Sequence, residues 1–599
     1  MRKMIVTASI PLLACSDFAL DADRVPTTLE LEPQCSQVAS ASPVQLRVRV
    51  RDQEGALMPV PGWAPISVKV SDSSIARVGE DLVMTGRGAG RVVVTASMGD
   101  LEGDAIFHIN APPLQLSAPL IYLTQAAQNA ENSVRLIAGR DALLRVFMTG
   151  DVANSASSGI RVTLHREDET VLDTMVLTER AGIPLEVDES TLEGSYNLLV
   201  PGEHIQPGTG MAIELDPMCG TPVAEGSQTR YPESGDTLLD IVAPQTFRQV
   251  FVPTLMINDP DYEVYTWLEG IGPNSEQMHL TRNLLPVSAD LEVEVRDTFW
   301  TTANLRTWNG WLTWLDEIQA LNIQEGRRGY YYGVIARPYF GLLGYANFAV
   351  PWSVGIADPD TYTHEVGHNM NLRHAPCGGA GGPDPDYPHG GGRIGVWGYD
   401  NDNHELKNPS EYLDVMSYCE PVWISDYHFD RATTHRLDGD GGVVLNGFVE
   451  RRDVLVVWGS VYEGRLQLDP AILLRGPVEM PSAPGPYTVE GLGPDGERRF
   501  AFSFAPLPTD HGGSTFVFFV PYDPEWDEGL QRVTLVGPEG TDEVFRGSAP
   551  PVAVVTHPET GAIKAIVRDW DGTELPVMDG MEVSVSTGLP GPSSPWKKP

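Results

Sequence analysis

No stretch of eighteen or more apolar residues occurs in the chain, so no segment reads as a membrane-spanning helix. Basic residues are scarce: Lys and Arg number 41 against 81 Asp and Glu, a formal net charge of −40 over 599 residues. A surface that acidic repels phosphate backbones and anionic lipid, so nucleic acid is not an expected partner. The charge keeps a large protein soluble and names no substrate. Cysteine is sparse too, at five residues. Turn formers are plentiful, with 60 Gly and 49 Pro, while charged residues make up 20%. Such a chain reads as globular, turn-rich and mostly β. Its length exceeds what one core can hold, so about three to five domains are expected.

Arg2 and Lys3 precede a short apolar stretch, Met4 to Ala14, that ends at Cys15. A basic start, an apolar core and a small residue make an export signal. Leu12-Leu13-Ala14-Cys15 resembles the lipobox of bacterial lipoproteins. That resemblance implies a signal peptide over 1–14 and a lipid on Cys15, the first mature residue. The other reading is an ordinary signal peptide with an incidental Cys. Asp17 stands third in the mature chain rather than second, which by the same resemblance implies the outer membrane. The expected location is the bacterial outer membrane or cell surface, otherwise secreted. Cys35, Cys219, Cys377 and Cys419 remain, and four Cys in an exported chain permit disulfides in three pairings.

Residues 15–25 read as a short tether. Over 26–112 the pattern has period two: Val44, Leu46, Val48 and Val50 alternate with polar residues, as do Ile66, Val68 and Val70. Turn residues interrupt it regularly, as in a β-sandwich. The stretch from Met84 to Ala96 resembles the end of a bacterial Ig-like repeat, which implies a spacer or adhesion module. A second β domain is expected over 113–245, with Ile121-Tyr122-Leu123 and Leu143 to Phe147 as its clearest strands. The pattern then changes. Leu291, Val293 and Val295 alternate as a strand, and Leu305, Trp308, Leu312, Leu315 and Ile318 predict an amphipathic helix near 303–324. Strands follow at Tyr330 to Ala336 and Gly341 to Val350. After about 436 the chain returns to β, with one or two C-terminal β domains expected over 437–587 and a disordered tail over 588–599.

The chemistry concentrates in His364-Glu365-Val366-Gly367-His368-Asn369-Met370-Asn371-Leu372-Arg373-His374. On a helix, positions i and i+4 face the same way, so His364 and His368 can present two imidazoles to one ion. Glu365 between them can take a proton from an attacking water. His374 completes the spacing HExxHxxGxxH, with Asn371 where the pattern has Gly. A third ligand there requires the chain to reverse, and Asn is the next most tolerant residue in the left-handed region. Forty-two residues past His374 comes Asp414-Val415-Met416-Ser417-Tyr418.

Together these residues resemble the metzincin zinc peptidases, whose Met-turn Met416 would supply. The wider resemblance, over about 246–436, is to multidomain secreted bacterial metzincins of the mucin-degrading type. It implies an α/β (α+β) metzincin catalytic domain flanked by β-sandwich domains. It also implies one catalytic Zn2+ held by His364, His368 and His374, with Glu365 as base. The Met-x-Tyr spacing resembles astacins and serralysins, which gives Tyr418 the oxyanion. Because the family's Met-turn lies under the zinc ligands, the resemblance also implies a disulfide between Cys377 and Cys419. It further makes the strand Gly341 to Ala349 an edge that pairs with extended substrate, the other reading being an internal strand. Asn371 in place of Gly leaves the subfamily open.

Other residues carry weaker signals. Asp400 to Glu405 alternates oxygen donors as calcium loops do, yet lacks an EF-hand's Gly and distal Glu, so a solvated loop is favoured over calcium. His389, His404 and His428 read as surface residues. Trp397 and Tyr399 either shape substrate pockets or pack. Two functions are therefore weighed. One is an exported zinc endopeptidase acting on extracellular protein or glycoprotein. The other is a surface adhesin or glycan-binding protein with a degenerate peptidase domain. Glu365 separates them, because a pure binding protein needs no acid/base beside two zinc ligands.

Overall fold

The computed structural model describes residues 24–591 apart from 63–64, 155, 446–449 and 525. The segment expected to be a signal peptide over 1–14, Cys15 and most of the expected tether lie outside the described residues. Among the described residues no helix is long and apolar enough to cross a membrane.

Residues 26–109 form strands in small sheets around Leu31, Val50, Val92, Val94 and Phe107. The strand Gly90–Met98 buries Val92, Val94, Ala96 and Met98 and leaves the alternate positions half-exposed, as period two dictates. A second all-β unit spans 114–242 around Leu144, Val146 and Val162. Cys35 and Cys219 are bonded, with Cα atoms 5.9 Å apart, and tie the two units together.

The site rests on the next unit. Its chain order is β1 (Arg248–Met256), β2 (Glu292–Val295), β3 (Phe299–Thr301), α1 (Trp308–Gln324), β4 (Tyr330–Ile335), β5 (Gly344–Ala346), β6 (Trp352–Ile356), α2 (Pro359–Asn369) and α3 (Asp426–Leu437). The sheet order is β5-β6-β4-β1-β3, with β2 also paired to β1. The pairs from β6 to β3 are parallel and β5 runs antiparallel to β6. Alternation along β1 feeds two cores: Val250 and Val252 pack on the α1 side, Phe251 and Leu255 on the side of Tyr362 and Val366 from α2.

Three expectations need correction. The sheet does not end with the catalytic segment. Strands β7 (Val552–Thr556), β8 (Ile563–Val567) and β9 (Glu582–Ser586) extend it to nine strands, with Trp300 opposite Ala565 and Thr301 opposite Ile566. A domain boundary at 437 therefore separates only the sandwich formed by 452–545. The edge that β3 would leave unpaired is closed by apolar β8, whose Ile563 and Ala565 are both 0% exposed. The second correction concerns α1. Thr307 caps it, accepting from the Gly310 amide at 3.2 Å, but the helix is buried nearly all round rather than amphipathic. It lies between the sheet and the sandwich strand Arg452–Tyr462, whose Val454, Val456 and Trp458 face it. Its buried Glu317 accepts from Thr301 Oγ1 at 2.7 Å and from Arg568 Nε at 3.2 Å, while Asp316 Oδ1 and Gln319 Oε1 on the same helix are buried without a hydrogen-bond partner. The tail is also ordered at its start: Leu589 is 1% exposed within the sandwich core, while 592–599 lie outside the described residues.

Candidate metal centre

Asp358 begins α2 by accepting the Thr361 amide at 2.9 Å, with Pro359 in the first turn. One helical turn separates His364 from His368. The helix stops at Met370, and Asn371 takes φ 65°, the left-handed conformation that reverses the chain. The amides of Asn371 and Leu372 donate back to His368 O and Gly367 O at 2.9 and 3.0 Å. That reversal returns His374 to the two helical imidazoles.

One nitrogen from each of the three rings lies within 4.8 Å of the others, and the Nε2 atoms of His368 and His374 are 3.2 Å apart. Each Nδ1 faces a main-chain carbonyl: Val415 at 2.8 Å for His364, Leu372 at 2.8 Å for His368, Gly381 at 2.6 Å for His374. Carbonyls only accept, so each Nδ1 carries the proton and each Nε2 presents a lone pair. Two lone pairs 3.2 Å apart repel unless a cation sits between them. Burial, helped by His374, pushes His364 down to about 3. Burial, then His364 and His374, drives His368 well below the usual imidazole range, and burial also lowers His374. Three neutral imidazole nitrogens at this spacing fit zinc.

Glu365 is 3% exposed, and its Oε2 has no hydrogen-bond partner. Burial, then the Asp510 carboxylate, holds it well above the usual carboxylate range. Its carboxylate lies against Gly344 of β5, where a Cβ would fall 2.2 Å from Oε1. Met416 is 0% exposed and its Sδ lies 2.4 Å from where a Cβ on Gly367 would be, so a side chain at that helical position would displace the methionine. The turn bearing Met416 hangs on Asp414, which accepts the Met416 and Ser425 amides at 2.9 and 3.0 Å and contacts His428 Nδ1 at 2.8 Å. Burial works to raise Asp414, but His428 and these hydrogen bonds outweigh it and hold the carboxyl below its usual range. Tyr418 Oη is 3.3 Å from His374 Nε2, and burial raises the phenol above its ordinary range. Cys377 and Cys419 are bonded, with Cα atoms 5.8 Å apart, which joins the His374 segment to the Met416 turn.

A cleft of about 480 Å³ opens beside these groups, lined by Leu343, Gly344, His364, Glu365, Tyr418 and His511 among others. Strand β5 is the sheet's edge, but only in part: Asn347 bridges to Thr509, and Ala346 pairs with Asp510. Asp510 and His511 come from the C-terminal sandwich, and no spacing signal in the sequence pointed to them. Asp510 Oδ2 lies 3.8 Å from His368 Nε2, and Asp510 groups with Glu365 and His368 as a possible ligand cluster.

The weaker candidates fall away from the cleft. His428 is 0% exposed, a core residue supporting Asp414 rather than a surface one. His389 contacts Asp426 at 2.7 Å. Tyr399 is 3% exposed and packs. Calcium has no claim on Asp400 and Asp402, because their carboxylates meet cations instead. Lys407 and His279 approach Asp400 at 3.4 and 3.5 Å, and Arg282 and His279 contact Asp402.

Residues 323–418 match the family model for Peptidase M66. That stretch contains the three histidines, Glu365, Met416 and Tyr418, and the match supports a peptidase function in general. No curated protein matches the chain. Among solved structures, domains 4 and 5 of the S-layer protein SbsC align at 17% identity over 15% of this chain and 54% of that one, with a TM-score of 0.13. This chain thus spans about half of that structure. A CARDB domain with di-metal ions from Pyrococcus furiosus aligns at 10% identity over 22% of this chain and 98% of that one, TM-score 0.15. A chaperone–substrate complex aligns at 13% identity over 42% and 40%, TM-score 0.22. Likenesses at these TM-scores carry no argument about function.

Proposed function

We propose that the protein is an exported zinc endopeptidase of the metzincin type that cleaves extracellular proteins or glycoproteins. The observation that carries this reading is the convergence of three Nδ1-protonated imidazoles with a buried glutamate beside them. His364, His368 and His374 would hold the ion. Zinc there supplies a Lewis acid for the scissile carbonyl and lowers the pKa of water to roughly 7.

The chain's own groups do the rest. Glu365 accepts the proton of the water whose oxygen attacks the carbonyl carbon, and delivers it to the nitrogen as the C–N bond breaks. Tyr418 donates its hydroxyl to the oxyanion. The open part of the β5 edge, near residues 341–344, offers main-chain groups to an extended peptide, which any sequence can satisfy. A lipid on Cys15 would hold the enzyme at a membrane surface.

Purified protein incubated with casein and with a mucin, with and without a chelator, tests the reading. Hydrolysis abolished by chelation and restored by zinc is expected. Glu365→Gln should keep one zinc per chain and lose hydrolysis, while His368→Ala loses the zinc as well. Normal turnover by zinc-loaded Glu365→Gln refutes the role given to the glutamate.

A further inference from the structure

The edge strand β5 is closed at one end and open at the other. At the closed end the Ala346 amide donates to Asp510 Oδ1 at 3.0 Å, the Ala346 carbonyl accepts the Asp510 amide at 3.2 Å, and Asn347 bridges to Thr509. Alternate residues of a strand present their main chain to the same side, so Gly344 is the next position open to a peptide. Leu343 between the open positions faces the other way and accepts the Ile356 amide of β6 at 2.8 Å. Gly344 also lies against Glu365, with a Cβ there 2.2 Å from Oε1, so a peptide paired at Gly344 has its scissile bond close by. Such a peptide leaves along the edge toward residues 339–343.

Those residues hold a tight turn. Tyr339 bridges to Leu342, whose amide donates to Tyr339 O at 3.2 Å, and the two central residues, Phe340 and Gly341, take φ 57° and 75°. A turn with positive φ at both centres favours Asn, Asp or Gly there. Phe340 departs from that rule. Among the described non-glycine residues with positive φ it carries the largest apolar side chain. A bulky L-residue in this region is strained, and burial does not offset the strain, because Phe340 is 58% exposed. The flanks are the anchored part: Tyr339 and Leu342 pack in the core on the α1 side, and Arg306 and Arg337 stack on Tyr339 at 5.7 and 5.5 Å. Leu343, which lines the cleft, is 51% exposed. An aromatic tip and a leucine thus stand uncovered where the edge leaves the cleft.

We propose that Phe340 is a specificity-determining residue: with Leu343 it forms an apolar subsite that takes a hydrophobic side chain of the peptide substrate. An extended peptide rises about 3.3 Å per residue, so this side chain lies about two to four residues from the scissile bond. The inference rests on the peptidase reading above and deepens it by naming what the enzyme prefers in its substrate. Covering the Phe340 ring with an apolar side chain removes both from water, which favours binding in proportion to the area covered. Asn would build the same turn without the strain, so the turn itself gives no reason for phenylalanine.

The test uses the full chain loaded with zinc. Its substrates are peptides built on a casein bond that the wild type cleaves, with Leu or Gln at each position about two to four residues from that bond on either side. Phe340→Asn is the first variant, because Asn suits the turn, and Phe340→Gly is the second. On one side of the bond the wild type should favour Leu over Gln by about tenfold in kcat/KM, expressed in KM. Both variants should lose most of that preference, with kcat within about twofold and zinc content unchanged. Equilibrium binding of the uncleaved peptides to zinc-loaded Glu365→Gln should show the same loss in Kd when Phe340→Asn is added. The thermal midpoint of Phe340→Asn should equal or exceed that of the wild type, and a lower one would make the ring a packing residue and overturn the inference. Variants that keep the wild-type ratio of Leu to Gln overturn it alone. Slower mucin hydrolysis with both peptide series unaffected also overturns it, by making the ring a platform for sugar. A zinc-loaded wild type that hydrolyses no peptide overturns the peptidase reading and this inference with it.

Discussion

Gly344→Ala offers a test in which activity and stability should part. Gly344 lies in β5, and a Cβ there would stand 2.2 Å from Glu365 Oε1 and 2.6 Å from its Cδ and Cγ. Those atoms end a side chain, so they can yield where backbone could not. To reach ordinary contact the carboxylate must retreat by about 1 Å. A misplacement of about 1 Å at a reacting group costs on the order of a hundredfold in rate, or about 2.7 kcal/mol of barrier. The fold should hardly register the change, because the position is an extended strand and alanine there shifts stability by only about 1 kcal/mol. The Cβ would point at Glu365 rather than along the pairing edge, so KM should stay near wild type. The assay pairs steady-state kinetics on one peptide with zinc content and a thermal melt. The expected result is kcat down about a hundredfold, zinc intact and the melt unchanged. Wild-type kcat would refute the argument that Gly344 sets the position of the base; loss of zinc would mean the clash reaches the ligands instead.

Replacing Cys377 and Cys419 by Ser should lower stability by about 3–4 kcal/mol, from the loop spanning 42 residues, and speed zinc loss to a chelator; urea unfolding and chelation kinetics measure both. Asp414→Asn weakens the buried hydrogen bonds to the Met416 and Ser425 amides and to His428 and should cost about 1–3 kcal/mol at pH 7. Asp414 is held below its unfolded value of about 3.9, so its contribution is complete above that pH and disappears as pH falls through the lower folded value. The wild-type advantage in urea midpoint should therefore shrink below about pH 4, and an advantage unchanged at pH 2 would contradict the assignment. Asn371→Gly should leave the melt near wild type and Asn371→Val should lower it, since φ 65° costs an L-residue about 1–2 kcal/mol and a β-branched one more.

The sequence by itself determined which residues make up the candidate site. The proposed ligands His364, His368 and His374, the proposed base Glu365, the turn residue Asn371 and the Met416-to-Tyr418 segment sit close together in the chain. Helical periodicity and one reversal are local physics, legible from spacing. The same holds for alternation in strands such as Gly90–Met98. Tertiary structure decided what joins these pieces over long separations. It set β8 beside β3, buried α1 on the side that spacing assigned to solvent, turned the acidic loop at Asp400 toward Lys407 and His279, and put His428 under the Met416 turn. It also carried Asp510 and His511 from another β unit into the cleft. Such contacts leave no periodic trace, because hydrophobic burial is nondirectional and any apolar strand could have closed that edge. Which one does so depends on packing the whole chain at once, and the wall of the cleft beside Tyr418 follows from that packing.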